Sequence, residues 1–213
     1  MSPLPQDAQH ADTRRGNALR EDLLREDSLH RDAIRALASW TAPDPDQDLL
    51  RRDYLDHLRE RPDGVWRSCH PAHITASALV VDRERGRVLL TLHPKVGLWL
   101  QLGGHCERED AGLADAALRE ATEESGIAGL RLFPSEDAPQ PVKLDRHAVR
   151  CAGREQPENT HLDVQYLVTA PPGAVERISE ESLDLRWFDF DALPERTDHS
   201  VRDLAARSRE LLG

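Results

Sequence analysis

Gly103-Gly104-His105-Cys106-Glu107-Arg108-Glu109-Asp110, followed by Arg119-Glu120-Ala121-Thr122-Glu123-Glu124-Ser125-Gly126-Ile127, are the two runs whose reading decides the fold. Ala114, Ala117, Leu118 and Ala121 fall at i, i+3, i+4 and i+7, an apolar stripe of the kind that packs a helix against a sheet. The spacing predicts a helix over 111–125, stopped by Gly126. Glu120, Glu123 and Glu124 share one turn and project from a different face. Like charges at helical spacing cost about 0.2–0.5 kcal/mol per pair, and Arg119, four residues before Glu123, offsets only part of that.

A solvated acidic helix face accounts for three glutamates about as well as a binding site does. The binding reading is that a divalent cation compensates them. Hard ions such as Mg²⁺ and Mn²⁺ take oxygen ligands. Glu120 and Glu124, four apart, can share one ion, and a turn at Gly103-Gly104 lets the Gly104 carbonyl approach. An ion held there neutralises a diphosphate and acidifies the attacking water. A remaining carboxylate then orients or deprotonates that water.

Taken as one string, Gly104, Arg119, Glu120, Glu123, Glu124, Gly126 and Ile127 stand in the order of the Nudix box, and the stretch resembles that motif. Two features depart from it. Asp110 stands where the family usually has Glu, with Glu109 as a neighbouring substitute, and eight residues rather than seven separate Asp110 from Arg119. Ala121 is also smaller than the usual aliphatic residue. Similar family character extends to His73-Ile74-Thr75-Ala76-Ser77, to Leu98 through Gly104, and to Leu185 through Pro194.

The resemblance implies an α+β chain folded as an α/β/α sandwich, a mixed sheet between helices, over residues 70–212. It implies Glu120 and Glu124 as metal ligands with the Gly104 carbonyl, and Glu123 as a further ligand or water-orienting base. Arg119 would hold the glutamates in place. The cofactor implied is Mg²⁺ or Mn²⁺, and the reaction is hydrolysis of a diphosphate, of nucleotide type, linked to another moiety. Two rivals share the fold. A non-catalytic nucleotide sensor or scaffold tends to lose the helix glutamates, which this chain keeps. An isoprenoid-diphosphate isomerase needs a cysteine and a glutamate across an allylic carbon, and the surroundings of Cys69 and Cys106 give no strong sign of one.

Working outward, residues 74–81, 87–92, 98–102, 142–149, 162–169 and 185–188 read as strands, and 198–212 as a closing helix. Strands on both sides of one central helix suit α+β better than a regular βαβ series. Residues 1–16 read as disordered and 17–62 as a helical extension, punctuated by Pro43 and Pro45 and ended at Pro62-Asp63-Gly64.

The whole chain has 213 residues and a net charge of -11, from 28 Lys+Arg against 39 Asp+Glu. That balance disfavours nucleic-acid polymers and anionic membranes as partners, because both repel a negative protein. Seven of the carboxylates lie in residues 103–127, against only Arg108 and Arg119. No apolar run approaches the roughly 20 residues that span a bilayer. Three widely spaced cysteines and no secretory signal suit a reducing cytoplasm. Nothing in the sequence sets the oligomeric state.

Weaker substrate-site candidates stand beside ordinary structural readings. His161 and Asp163 alternate on one strand face, either lining a cleft, as ligands of a second metal, as contacts to phosphate or as acid/base groups, or forming an exposed polar pair. His105 follows Gly104 and is either a ligand contact or a turn histidine. Trp99 either stacks on a base or fills core. Asp110 keeps its place near the box loop. Cys69, His70, His73 and Cys106 lack the spacing of the usual structural zinc sites.

Overall fold

Two long strands form the spine of the molecule. Strand β1 (Ala72–Asp82) is almost entirely small or β-branched apart from His73, and β7 (Asn159–Thr169) alternates polar and apolar residues along its first half. They pair in parallel register from Ala72↔Thr160 to Val81↔Thr169. In this computed structural model, residues 28–149, 159–179 and 182–213 are described. The sequence readings for residues 1–27 and 150–158 therefore lie outside the described residues.

Each long strand shares its outer edge between two shorter ones. Alongside β1 lie β2 (Arg87–Leu92) at Val80–Asp82 and β4 (Leu102–His105) at Thr75–Ala78, both antiparallel. Along β7 lie β5 (Arg131–Leu132) and β6 (Lys143–Val149). Strands β3 (Trp99–Leu100) and β8 (Asp184–Asp189) add to β2, completing a mixed sheet of eight strands among the described residues. The 98–102 run splits in two at Gln101, and Gly103-Gly104 forms strand rather than a turn. Gly103 takes φ +152°, and a Cβ there would lie 2.3 Å from the Ser77 Cβ, so glycine is what lets β4 close on β1.

Helices cover both faces. Residues Ile74, Ala76, Ala78 and Val80 of β1 face a core shared with Ala114, Ala117 and Ala121 of α3 (Leu113–Ser125). Leu79 and Val81 face a second core with Val201, Leu204 and Ala205 of α4 (His199–Leu212). By strand alternation His73, Thr75 and Ser77 lie on that second face too, beyond the apolar cluster that α4 packs against. Helix α3 ends at Gly126, in the left-handed region at φ 63°, as the sequence predicts.

The N-terminal helices belong to the same packing. Helix α1 (28–39) buries Leu29, Ala33 and Leu37, and α2 (Pro45–Glu60) buries Tyr54, Leu55 and Leu58, all in the α3-side core. The side chain of Asp44 caps α2 through the Gln47 N–H at 2.9 Å, with Pro45 starting the helix. Gln47 then docks on β6, accepting from Leu144 N–H at 2.7 Å and donating to its carbonyl at 3.1 Å. Helix α3 has no cap of its own at Gly112, and Asp32 of α1 accepts the Leu113 N–H at 2.9 Å. The extension thus seals the start of the box helix.

Two substitutions read that coupling. Leu37→Ala, at a position with 0% exposure, should cost about 2–5 kcal/mol of stability in urea unfolding. Asp32→Ala should cost about 1 kcal/mol through the lost cap. Cooperative unfolding in a single transition is expected for both.

Candidate active site

The box helix and β4 meet along the Gly103-Gly104 backbone. A Cβ on Gly104 would lie 2.8 Å from Glu120 Oε1 and 2.9 Å from its Cδ, so only hydrogen leaves room for the carboxylate. One turn on, Glu124 Oε2 accepts the Gly103 N–H at 3.2 Å. The two carboxylates of α3 therefore lie against the same two-residue stretch of β4. Hard oxygen donors gathered beside half-buried backbone are the ligand chemistry that Mg²⁺ and Mn²⁺ prefer, so the residues present fit such an ion.

Arg119 organises the rest. Its Nε and Nη2 donate to the two oxygens of Asp110 at 2.9 and 3.1 Å, and Nη2 also donates to the His105 carbonyl at 3.0 Å. Nη1 reaches Glu120 Oε1 at 3.1 Å and Glu123 Oε2 at 3.2 Å. The bidentate fork to Asp110 is the strong geometry for this pair, and hydrogen bonding to that carboxylate pushes the guanidinium pKa further up. Asp110 is 7% exposed and also accepts the Glu107 N–H at 2.7 Å, while Glu109 is exposed. The shorter aspartate thus takes the arginine despite the extra residue before the helix. Glu123, with 61% side-chain exposure, meets Arg119 from the solvent side.

The second sheet face carries a polar belt. Asp163, nearly fully buried, accepts from Thr75 Oγ1 at 2.9 Å, Ser77 Oγ at 2.6 Å, Gln165 Nε2 at 3.0 Å and Gln101 Nε2 at 3.3 Å. His161 shares that face, as the alternation expects, yet its ring joins other histidines. The His73, His105 and His161 rings stand 4.9–5.1 Å apart centre to centre. His147 flanks His161 at 5.3 Å, and its Nδ1 hydrogen-bonds Asp145 at 2.9 Å, which raises the His147 pKa. Burial pushes the His105 pKa down to about 4 and that of His161 to about 3, with the other histidines adding to the shift. His73 moves the same way for the same reason.

Trp99 lies on β3, with Phe188 edge-on at 4.8 Å and the Arg186 guanidinium 5.8 Å from its ring centre. Both described cysteines are buried, and burial raises their pKa, that of Cys69 to about 11. The members of the site not foreseen from sequence are the belt residues Thr75, Ser77, Gln101 and Gln165, with Asp145 and His147. The alternation of His73, Thr75 and Ser77 on β1 was the available signal.

The profile of the NUDIX domain matches residues 71–208. The chain belongs to the Nudix family. It is a hydrolase acting on the acid-anhydride bond of a diphosphate. Among solved structures, a NUDIX-family hydrolase from Clostridium perfringens is 26% identical, covering 66% of this chain and 98% of that one, with TM-score 0.49. An Ap4A hydrolase from C. elegans is 16% identical, covering 65% and 96%, with TM-score 0.50. A MutT NUDIX hydrolase from Burkholderia pseudomallei is 24% identical, covering 64% and 97%, with TM-score 0.46. No protein of curated function matches the sequence. No helix among the described residues is long and apolar enough to cross a membrane.

Asp110→Ala leaves Arg119 without its bidentate partner in a largely buried setting (side chains 4% and 19% exposed). It should cost about 3 kcal/mol in thermal unfolding, while Glu109→Ala stays near wild type. The histidines give a pH signature in metal-free protein. Their folded pKa values lie below the ordinary 6.5, so the unfolded chain binds more protons in between. Their stabilisation is therefore present above about pH 6.5 and lost as pH falls toward about 4. Urea midpoints should drop from about pH 7.5 to about pH 5, and less steeply in His161→Gln.

Proposed function

We propose that this chain is a Mg²⁺- or Mn²⁺-dependent pyrophosphohydrolase that cleaves a nucleoside diphosphate linked to a second moiety. The observation that supports it most is the approach of the Glu120 and Glu124 carboxylates to the Gly103-Gly104 backbone, with Arg119 neutralising only part of the charge. Glu120, Glu124 and the Gly104 carbonyl are the groups that would hold the ion. When bound, such an ion offsets diphosphate charge and lowers the pKa of the attacking water.

The remaining residues divide the work by exposure. Arg119 fixes the Glu120 oxygen through Nη1 and is itself fixed by Asp110, so the carboxylate keeps its aim without reorganising. Glu123 is tethered by one arginine contact and otherwise open, which suits a group that orients or takes a proton from water. His105 and His161, partly buried on the sheet face next to the Gly103-Gly104 backbone, are candidates for contacting a substrate's phosphates or sugar, while Asp163 beneath them is taken up by Thr75, Ser77, Gln101 and Gln165. Trp99 is a candidate for base stacking at the β3 edge. The substrate is a small molecule rather than a nucleic-acid polymer, and the compartment proposed is the cytoplasm.

The test is a panel of nucleoside di- and triphosphates, nucleotide sugars and dinucleoside polyphosphates with Mg²⁺ or Mn²⁺. Glu124→Gln should lower kcat/KM by about a hundredfold or more, the several kcal/mol that a metal contributes. Unchanged activity in that variant would remove the metal assignment. Tight nucleotide binding without turnover of any compound would instead make the chain a sensor.

A further inference from the structure

Three strands that lie side by side each present one histidine to the same point. His105 ends β4, opposite Thr75 of β1, and His73 of β1 stands in register with His161 of β7. One ligand nitrogen from each of His73, His105 and His161 falls within 4.8 Å of the others. Two of these side chains carry a buried atom that the fold leaves unsatisfied: Nε2 of His73 and Nε2 of His105 have no hydrogen-bond partner among the described residues. His73 is fully buried. A buried imidazole nitrogen with nothing to bond is a cost that folded proteins ordinarily avoid. Two at one spot call for a ligand.

We propose that His73, His105 and His161 form a second metal site, for a divalent ion of borderline softness such as Zn²⁺, distinct from the glutamate site. Imidazole nitrogens select such ions, whereas Mg²⁺ and Mn²⁺ prefer oxygen. The nearest buried carboxylate on this face, Asp163, is already saturated by Thr75, Ser77, Gln101 and Gln165, so the donor set is three nitrogens. Nitrogens around one tetrahedral zinc lie roughly 3.4 Å apart, given bonds of about 2.0–2.1 Å. The present span, up to 4.8 Å, is wider than that, so a bound ion would draw the three rings together. At His73 the Cys69 carbonyl, 3.4 Å from Nδ1, is the acceptor for that nitrogen's proton in the tautomer that leaves Nε2 to the ion; the Asn159 amide nitrogen, 3.0 Å from Nδ1, would turn aside.

Three protein ligands leave a fourth position open, as in zinc sites that bind water or substrate. His105 and His161 are only partly buried, so that position can be reached from solvent. The glutamate site lies one peptide away, because the Gly104 carbonyl belongs to the Gly104–His105 bond. By alternation the two sites use opposite sides of β4, oxygen donors toward α3 and nitrogen donors toward the polar belt. A phosphate oxygen is a suitable fourth ligand. The proposal stands without the hydrolase reading, since three histidines can bind an ion in a chain that turns over nothing.

The experiment uses the full chain, stripped with chelator and dialysed against Zn²⁺ in excess Mg²⁺, with zinc read by mass spectrometry. Co²⁺ in place of Zn²⁺ reports nitrogen ligation through its ligand-field absorption. One equivalent of zinc is expected in wild type and in Glu124→Gln. His161→Gln and His105→Gln, changed on different strands, should each weaken binding by more than about tenfold. Circular dichroism checks that each variant is folded. No bound zinc in wild type, equal zinc in both folded histidine variants, or loss of zinc in Glu124→Gln would each overturn the site.

Discussion

Between Ser77 on β1 and Glu120 on α3 there is room for backbone only. A Cβ on Gly103 would collide with the Ser77 Cβ at 2.3 Å, and one on Gly104 would meet the Glu120 carboxylate at 2.8 Å. Everything chemical in the molecule depends on that close passage. It brings the Gly103 N–H to Glu124 and the Gly104 backbone to Glu120. It also sets the register that places His105 beside His73 and His161. Glycine is chosen twice in succession for two different obstacles, one on each side of the strand.

The acidity of the chain takes on a structure in this setting. Arg119 meets Asp110, Glu120 and Glu123 with one guanidinium, and Glu107 Oε1 lies 4.0 Å away. One positive charge cannot neutralise four carboxylates, yet the geometry grades them. Asp110 is buried and takes the bidentate fork. Glu120 shares a single nitrogen, and Glu123 remains mostly in water. The arginine is thereby spent on holding position, which leaves negative charge along Gly103-Gly104 for a cation to meet. Screening by water makes the exposed contact to Glu123 the weakest of the three.

Much of this was legible in the chain. The period of Ala114, Ala117, Leu118 and Ala121, with Gly126 as a stop, located α3 to within two residues at its start. The run at Arg87–Leu92 was read to the residue. Local periodicity carries such elements because their hydrogen bonds or faces are set by near neighbours. What escaped is non-local. The two-residue β5 has no period of its own and exists because it pairs with β7 at Val168 and Thr169. The histidine triangle joins positions 73, 105 and 161, which only the register of three strands brings together. Of Cys69, His70, His73 and Cys106, which lack the spacing of a structural zinc site, the structure buries both cysteines, leaves His70 exposed and joins only His73 to the triangle.

Asp110 shows why spacing and geometry need not agree. The extra residue before Arg119 would carry a glutamate's carboxylate past the guanidinium if the loop were otherwise unchanged. Asp110 folds back instead, its backbone N–H donating to the Glu107 carbonyl at 3.2 Å and its carboxylate accepting from Glu107 N–H. That tight turn absorbs the added residue, and the aspartate, one methylene shorter, fits the distance left. In this chain the fork to Arg119 forms with the altered count because the loop turns between Glu107 and Asp110. Helix α1 completes the arrangement from outside the box, since Asp32 occupies the space beside Gly112 that a side chain would fill and caps the first N–H of α3. A box with an altered loop is thus held in register from both ends, by Asp110 on Arg119 and by Asp32 on Leu113.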